Sequence, residues 1–277
     1  MISVGGLKRR LEETVKRFEI DRPYSSSNLL PVKTVFQTVM FLHDQKQNPS
    51  CEGHSHASGI EQKTGWKVSG VDLWIDARRR QGDLGNAAIG TESAYVIESV
   101  IRRGVSPQVA GEDDRPSSEN VRMPSLAQEL AADANRVSID AVHRQISSNR
   151  VACAFDALQR CFSVTFGTGV RDGYGTIGVN EIVGIDNLSA DAPDGHSQRL
   201  VGGIAPDDER FPAEWRGCFI LASSWAGHGG ILMPCSVPQI NGQMIRAGEF
   251  LPQRILIRPE VIETAWELDA LEIRWVG

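Results

Sequence analysis

A glycine-rich turn that leads directly into a long apolar stretch is the feature of this sequence that most restricts its fold. Gly82 and Gly85 allow a tight loop. The apolar residues that follow recur at helical spacing until Arg102-Arg103-Gly104, which is typical of a helix C-terminus. These apolar residues are Ala88, Ile89, Ala94, Tyr95, Ile97, Val100 and Ile101. A largely apolar helix has to be buried, so the sequence predicts a helix from residue 87 that packs between two parts of the protein.

The residues at the start of this predicted helix have the spacing of a catalytic turn. The first turn of a helix lowers the pKa of a cysteine, because its unpaired backbone N–H groups carry partial positive charge. Ala87 occupies that place, six residues after Gln81. Residues 81–87 resemble the nucleophile turn of papain-like cysteine peptidases of bacterial and phage type, with alanine in place of cysteine. The resemblance implies that Gln81 contributes to the oxyanion hole and that Gly85 and Asn86 line the substrate site. The other interpretation is an ordinary loop before a core helix.

A second segment with this resemblance contains a histidine. Asp194-Gly195-His196-Ser197 precedes an apolar run at 200–204. This order resembles the segment in which the family's catalytic histidine begins a strand. The resemblance therefore implies that His196 is the general base and that Gly195 lines the substrate site. A histidine in a solvated turn is the alternative.

A third segment, residues 219–227, resembles the strand and turn usually written Asn-Ser-Trp-Gly. In that motif the asparagine orients the histidine and the tryptophan shields their hydrogen bond from water. Ser223 stands here in place of asparagine, and Ala226 in place of glycine. A serine hydroxyl can accept from an imidazole N–H, but it is shorter than an amide. The resemblance implies that Ser223 orients His196 weakly or through a water and that Trp225 covers the pair. The alternative for Trp225 is a core aromatic residue.

The resemblance implies peptide hydrolysis by acyl transfer through a thiolate. A thiolate at position 87 would attack a peptide carbonyl, Gln81 and the N–H of residue 87 would hold the oxyanion, and His196 would protonate the leaving amine. Alanine has no nucleophile, so the chain as written is expected to be inactive. Ala87 is interpreted as an engineered Cys→Ala change. The alternatives are a natural pseudopeptidase that serves as a binding or assembly subunit, and a related acyltransferase.

The composition is that of an ordinary globular protein, with 277 residues, 41% hydrophobic and 23% charged. A net charge of −6 argues against a nucleic-acid partner. No apolar run approaches the roughly 20 residues that span a membrane. Residues 1–18 lack an apolar signal core and have the pattern of an amphipathic helix. We therefore expect a cytoplasmic protein that binds a protein or peptide substrate; the N-terminal helices offer a surface for a protein partner.

The cysteines show no pairing pattern. There are five, at positions 51, 153, 161, 218 and 235, and they are predicted to be reduced. None of them is expected to be a nucleophile. Cys51, His54 and His56 have a spacing that can hold zinc. The segment lacks a second ligand pair, however, and its glycine and serine residues are typical of a mobile linker. The sequence predicts no metal and no cofactor.

The sequence predicts two regions. Residues 1–60 are expected to form an N-terminal helical extension and linker, with helices at about 5–18 and 32–45, and this region could be a propeptide. Residues 61–277 are expected to form the peptidase domain, with an insertion at 106–136 and a C-terminal extension at 238–277.

The fold class expected from the resemblance is α+β. A papain-like fold has a helical left subdomain, a right subdomain of twisted antiparallel sheet, and an active-site cleft between them. In the second half of the chain, residues 139–150 are expected to be helical and 151–156 to form a strand. Residues 254–258 and 271–275 alternate as two strands do, with a short helix or turn between them.

Overall fold

A large, mostly antiparallel sheet with helices packed against it forms the framework of the protein. The computed structural model describes residues 22–46, 48–83, 90–108, 137–192 and 194–274. Within them, nine strands form one sheet in the order β1-β3-β13-β4-β6-β7-β12-β5, with β2 paired to β6. Only the β1–β3 and β12–β5 pairs of this sheet are parallel. The predicted α+β class is confirmed.

The described strands differ greatly in length. β4 and β6 are long and buried along almost their whole length, as expected of central strands that are covered on both faces. The strands are β1 (Arg22–Pro23), β2 (Val35–Phe36), β3 (Asp140–Gln145), β4 (Ser163–Val170), β5 (Ile182–Val183), β6 (Asp194–Gly203), β7 (Phe219–Ala222), β8 (Gly230–Leu232), β9 (Val237–Pro238), β10 (Met244–Ile245), β11 (Phe250–Pro252), β12 (Arg254–Ile257) and β13 (Glu267–Arg274).

Five α-helices are described. They are α1 (Cys51–Thr64), α2 (Gly70–Gln81), α3 (Ser93–Arg103), α4 (Arg150–Gln159) and α5 (Pro259–Thr264). Helices α1 to α3 pack around one apolar cluster, which we call the helical half. Helices α4 and α5 pack on the sheet around a second cluster, which we call the sheet half. None of the described helices is long and apolar enough to cross a membrane.

Helix α1 replaces the linker that the sequence predicted. Its residues from Cys51 to Glu61 are buried although many of them are polar. The glycines that suggest a linker allow close packing instead: a Cβ on Gly53 would lie 2.0 Å from the carbonyl oxygen of Gly70 in α2. A Cβ on Gly59 would lie 1.8 Å from Ser163 Oγ in β4. The predicted linker is therefore wrong, because these small residues bring a helix into the centre of the molecule.

The predicted helix around residues 87–103 is confirmed only in its second part. Helix α3 ends at Arg103, and Gly104 follows with a positive φ of 81°. It begins at Ser93, because Glu92 before it has an extended backbone. Residues 84–89 lie outside the described residues, and 90–92 are not helical. The prediction of one continuous helix from 87 to 103 is therefore wrong.

Two further segments have the opposite secondary structure to the one predicted. The segment 32–45 contains the short strand β2, which pairs with β6, and no helix. Residues 140–145 form a strand and 150–159 a helix, whereas a helix followed by a strand was predicted. Short apolar runs fit both the helical period of 3.6 residues and the strand period of two residues. Pairing with neighbouring strands therefore decides which structure forms.

The C-terminal segment is part of the main sheet. The predicted order of strand, short helix and strand is confirmed by β12, α5 and β13. Strand β13, in the predicted C-terminal extension, lies between β3 and β4 and pairs with both. The boundary predicted at residue 60 falls inside α1, and β2 of the predicted N-terminal region belongs to the main sheet. The predicted helix at 5–18 lies outside the described residues, as do residues 109–136 of the predicted insertion at 106–136.

Candidate active site

His196 lies near the start of β6, where two other rings contact it. The indole of Trp225 stacks on the imidazole with 4.4 Å between ring centroids and 15° between planes. Tyr174 contacts both rings edge-on, at 6.2 Å from His196 and 5.9 Å from Trp225. His196 is 0% exposed. The predicted proximity of His196 and Trp225 is therefore present, and the tryptophan covers one face of the imidazole.

Cys51 is a thiol that lies close to the residue after this histidine. It is the first residue of α1, and α1 packs across β6. The backbone N–H of Ser197 donates to Cys51 Sγ at 3.4 Å, which places the thiol beside the residue that follows His196. The first turn of a helix is a position at which the pKa of a cysteine can be lowered. From the sequence, none of the five cysteines is expected to be a nucleophile.

Both groups are uncharged in this geometry. Burial raises the pKa of the Cys51 thiol to about 12, and the neighbouring Glu52 carboxylate adds to the effect. Burial, followed by the proximity of His228, lowers the pKa of His196 to about 3. Cys51 is also 0% exposed. The arrangement is therefore a closed, neutral thiol and imidazole, and charge separation requires solvent or substrate to enter.

Gln45 lies six residues before Cys51, the same separation that Gln81 has from Ala87. Its backbone N–H donates to the carbonyl oxygen of Ser224 at 2.8 Å. Its side-chain amide donates to Asn48 O at 3.0 Å and accepts from the hydroxyl of Ser224. Gln45 is thereby fixed to the turn that carries Trp225. An amide held beside the helix start can supply one hydrogen bond to a developing oxyanion.

Ser223 binds a histidine other than the predicted one. Its hydroxyl lies 2.8 Å from His228 Nδ1 and accepts from Trp225 N at 3.2 Å. His228 Nε2 lies 2.5 Å from the carbonyl oxygen of Tyr174. A carbonyl oxygen only accepts, so Nε2 carries the proton and Nδ1 accepts from the serine hydroxyl. Burial lowers the pKa of His228, which favours this neutral form.

Of the other predicted site residues, Gln81 and Gly195 are described by the structure. Gln81 ends α2, and its Oε1 accepts from the hydroxyl of Thr91 at 3.0 Å. Gly195 pairs with Gly169 in the sheet, directly before His196. Gly85, Asn86 and Ala87 lie outside the described residues.

The signal that finds Cys51 is present in the sequence. Glutamine followed six residues later by cysteine occurs at Gln45 and Cys51, and Ser50 precedes the cysteine. The glycine and serine content of α1 hides its helical character, whereas the turn at 81–87 stands before a clearly apolar helix. The stronger helix pattern therefore favours the turn at Gln81 over the one at Gln45.

The histidines near Cys51, whose spacing can hold zinc, make separate contacts in the structure. His54 Nδ1 lies 3.0 Å from His43 Nδ1, and His43 Nε2 lies 3.0 Å from Glu61. His56 pairs with Glu52 at 2.9 Å. Across the described parts of the chain, no group of three or more histidine, cysteine or acidic residues has the arrangement of a metal site.

Comparison with solved structures places this arrangement in a known fold. The chain is similar to xylellain, a cysteine protease from Xylella fastidiosa, with 17% identity and a TM-score of 0.65 over 99% of this chain and 96% of that one. It is similar to procathepsin L 3 from the Tenebrio molitor larval midgut, with 17% identity and a TM-score of 0.56 over 99% and 76%. It is also similar to procathepsin B from Trypanosoma congolense, with 12% identity and a TM-score of 0.57 over 99% of this chain and 84% of that one.

Sequence comparison adds no relative. No protein-family profile matches the chain, and no curated protein matches it. The likeness therefore rests on three-dimensional structure: this chain has the papain-like cysteine protease fold.

Proposed function

We propose that the protein is a cysteine peptidase whose nucleophile is Cys51 and whose general base is His196. The observation that carries the proposal is the contact between Cys51 Sγ at the start of α1 and the backbone N–H of Ser197, next to His196. The fold supports it, since the solved structures of this fold compared above are cysteine proteases. Position 87 is not needed as a nucleophile, so no engineered alanine has to be assumed.

The proposed reaction is acyl transfer in two steps. His196 takes the thiol proton, and the Cys51 thiolate attacks the peptide carbonyl. The backbone N–H of Cys51 and the Gln45 amide hold the oxyanion. The C–N bond then breaks as His196 gives its proton to the leaving amine, and a water activated by His196 hydrolyses the thioester.

The burial of both groups adds a condition to this mechanism. With 0% exposure at Cys51 and His196, a peptide reaches the sulfur only after part of the surrounding chain has moved. Movement that admits water or substrate also reduces the cost of charge at both groups, because burial is the largest cause of both pKa shifts. The structure described here thus corresponds to a closed state of the proposed enzyme.

The alternative is a pseudopeptidase that serves as a binding or assembly subunit. Two observations favour it: Ser223 replaces the asparagine of the resemblance, and neither nitrogen of His196 has a hydrogen-bond partner among the described residues. Cytoplasmic location stays a proposal, which the five unpaired cysteines support.

A covalent probe separates these two functions. The wild-type chain and its variants would be incubated with a biotinylated peptidyl epoxide, and the labelled residue would be identified by peptide mass spectrometry. We expect labelling at Cys51, abolished by Cys51→Ala and by His196→Ala. Cys153→Ala is the matched control, since Cys153 is also a buried cysteine in the first turn of a helix.

The peptidase proposal fails if Cys51 in the folded protein reacts no faster than glutathione with the same probe. In that event the pseudopeptidase alternative replaces it. Loss of labelling in the Cys153→Ala control would instead show that the variants had lost their fold, which circular dichroism detects independently.

A further inference from the structure

The Ser223 hydroxyl has one unused acceptor position, two residues before the tryptophan that stacks on His196. A serine hydroxyl offers one donor and two acceptor lone pairs. The donor goes to His228 Nδ1, and one lone pair receives the N–H of Trp225. The second lone pair is left on a turn that directly follows β7, where Ala222 pairs with Arg199 of β6. The turn therefore runs back beside the start of β6, where His196 lies.

His196 in turn lacks an acceptor for its ring N–H. Neither Nδ1 nor Nε2 has a partner among the described residues. A neutral imidazole that is to take a proton from a thiol must present its bare nitrogen to the sulfur and its N–H to an acceptor. Trp225 stacking fixes the plane of the ring, but it does not choose which nitrogen faces Cys51.

We propose that His228 is a positioning residue that makes the Ser223 oxygen an obligatory acceptor for the N–H of His196. This inference rests on the proposed function. Because His228 Nε2 is held as a donor by the Tyr174 carbonyl, Nδ1 is held as an acceptor, and it fixes the serine proton away from His196. The hydroxyl oxygen then accepts a hydrogen bond from the N–H of His196, directly or through one water, as the amide oxygen of an asparagine would.

The backbone conformation on both sides of His228 places its ring against Ser223. Gly227 and Gly229 on either side have positive φ values of 73° and 68°. A Cβ on Gly229 would lie 2.6 Å from the side chain of Ile255. His228 itself is only 4% exposed, and its ring contacts Tyr174 at 4.7 Å and Trp225 at 5.2 Å between centroids. The second imidazole is therefore a fixed part of the site.

Two substitutions at position 228 separate the two hydrogen bonds of the ring. Asparagine places its amide oxygen where Nδ1 lies, so His228→Asn retains the acceptor for Ser223 and loses the donor to Tyr174. Glutamine reaches further and places its amide nitrogen near Nε2, so His228→Gln retains the donor to Tyr174 and loses the acceptor. If His228 were needed only to hold the loop, His228→Asn would be the damaging change and His228→Gln the tolerated one.

The readout is the rate of alkylation of Cys51 by iodoacetamide at pH 6.0, followed by mass spectrometry of its peptide. An ordinary thiol is almost fully protonated at this pH, so rapid alkylation reports the thiolate that His196 generates. We expect His228→Gln to slow the reaction about tenfold, as for one lost hydrogen bond, and His228→Asn to leave it within about twofold. Adding Ser223→Asn to His228→Gln should restore the rate, because an amide oxygen accepts without help from residue 228.

The outcomes distinguish failure of this inference from failure of the proposed function. If wild-type Cys51 is no faster than glutathione, the peptidase assignment itself fails. If the wild type is fast and His228→Gln equals it, or if Ser223→Asn does not restore the rate, the positioning role is wrong. A slow His228→Asn beside a fast His228→Gln would also overturn it and assign His228 to the loop alone.

Discussion

At the scale of single residues, the site is governed by burial of groups that must later become charged. The thiol of Cys51 and the imidazole of His196 are both neutral in the folded protein, with their pKa values moved away from neutrality in opposite directions, to about 12 and about 3. A buried neutral histidine takes up a proton when the protein unfolds. Its contribution to stability is therefore complete above its ordinary pKa of 6.5 and decreases as the pH falls toward about 3.

This linkage predicts a difference in acid stability between the wild type and His196→Gln. The free energy of unfolding should fall more steeply with decreasing pH in the wild type, by about 1.4 kcal/mol per pH unit between pH 6 and pH 4, because one extra proton is bound on unfolding. Urea unfolding at several pH values measures both slopes. Carboxylates affect both proteins equally, so parallel slopes would contradict a buried neutral His196.

At the scale of elements, helix α1 shows what the sequence could and could not predict. The strands around His196 and Trp225 and the final β12-α5-β13 segment follow from alternating apolar residues bounded by turn residues, and those predictions hold. Helix α1 could not be recognised by periodicity, because its buried faces are made of Gly53, Gly59 and hydrogen-bonded histidines instead of aliphatic side chains. The predicted proximity of His196 and Trp225 is therefore present in the structure, whereas the contact between Cys51 and Ser197 could not be predicted from the sequence.

The close approach of α1 to α2 predicts a large effect of one methyl group. Gly53→Ala places Cβ 2.0 Å from the backbone oxygen of Gly70, which cannot rotate away as a side chain would. We expect a loss of about 1–3 kcal/mol in the free energy of unfolding, even though alanine is the better helix former. Lys63→Ala, on the exposed side of α1, should change it by less than about 0.5 kcal/mol. Chemical denaturation measures both, and a neutral Gly53→Ala would refute the packing described.

At the scale of the whole molecule, strand β13 joins the two halves on which the site depends. Leu271 and Ile273 belong to the apolar cluster of the helical half, and Leu268 and Ala270 belong to that of the sheet half. Between them, Asp269 accepts from Ser93 of α3 at 3.1 Å and lies 2.8 Å from His143 of β3. Cys51 belongs to the helical half and His196 to the sheet, so their relative position depends on this connection.

The shared strand predicts that the described halves unfold together. Leu268→Ala removes a fully buried side chain from the sheet half and should lower the free energy of unfolding by about 2–5 kcal/mol. Far-ultraviolet circular dichroism gives one signal, from the helices. Fluorescence gives a second signal, from the six tryptophans, which include Trp74 in α2 and Trp225 beside His196. We expect the two signals to shift to the same lower midpoint, because β13 couples the clusters. Leu232→Ala, at a residue that is 46% exposed, is the control and should shift neither. A shift seen by one signal alone would mean that the halves are independent, and the pairing of Cys51 with His196 would then need another explanation.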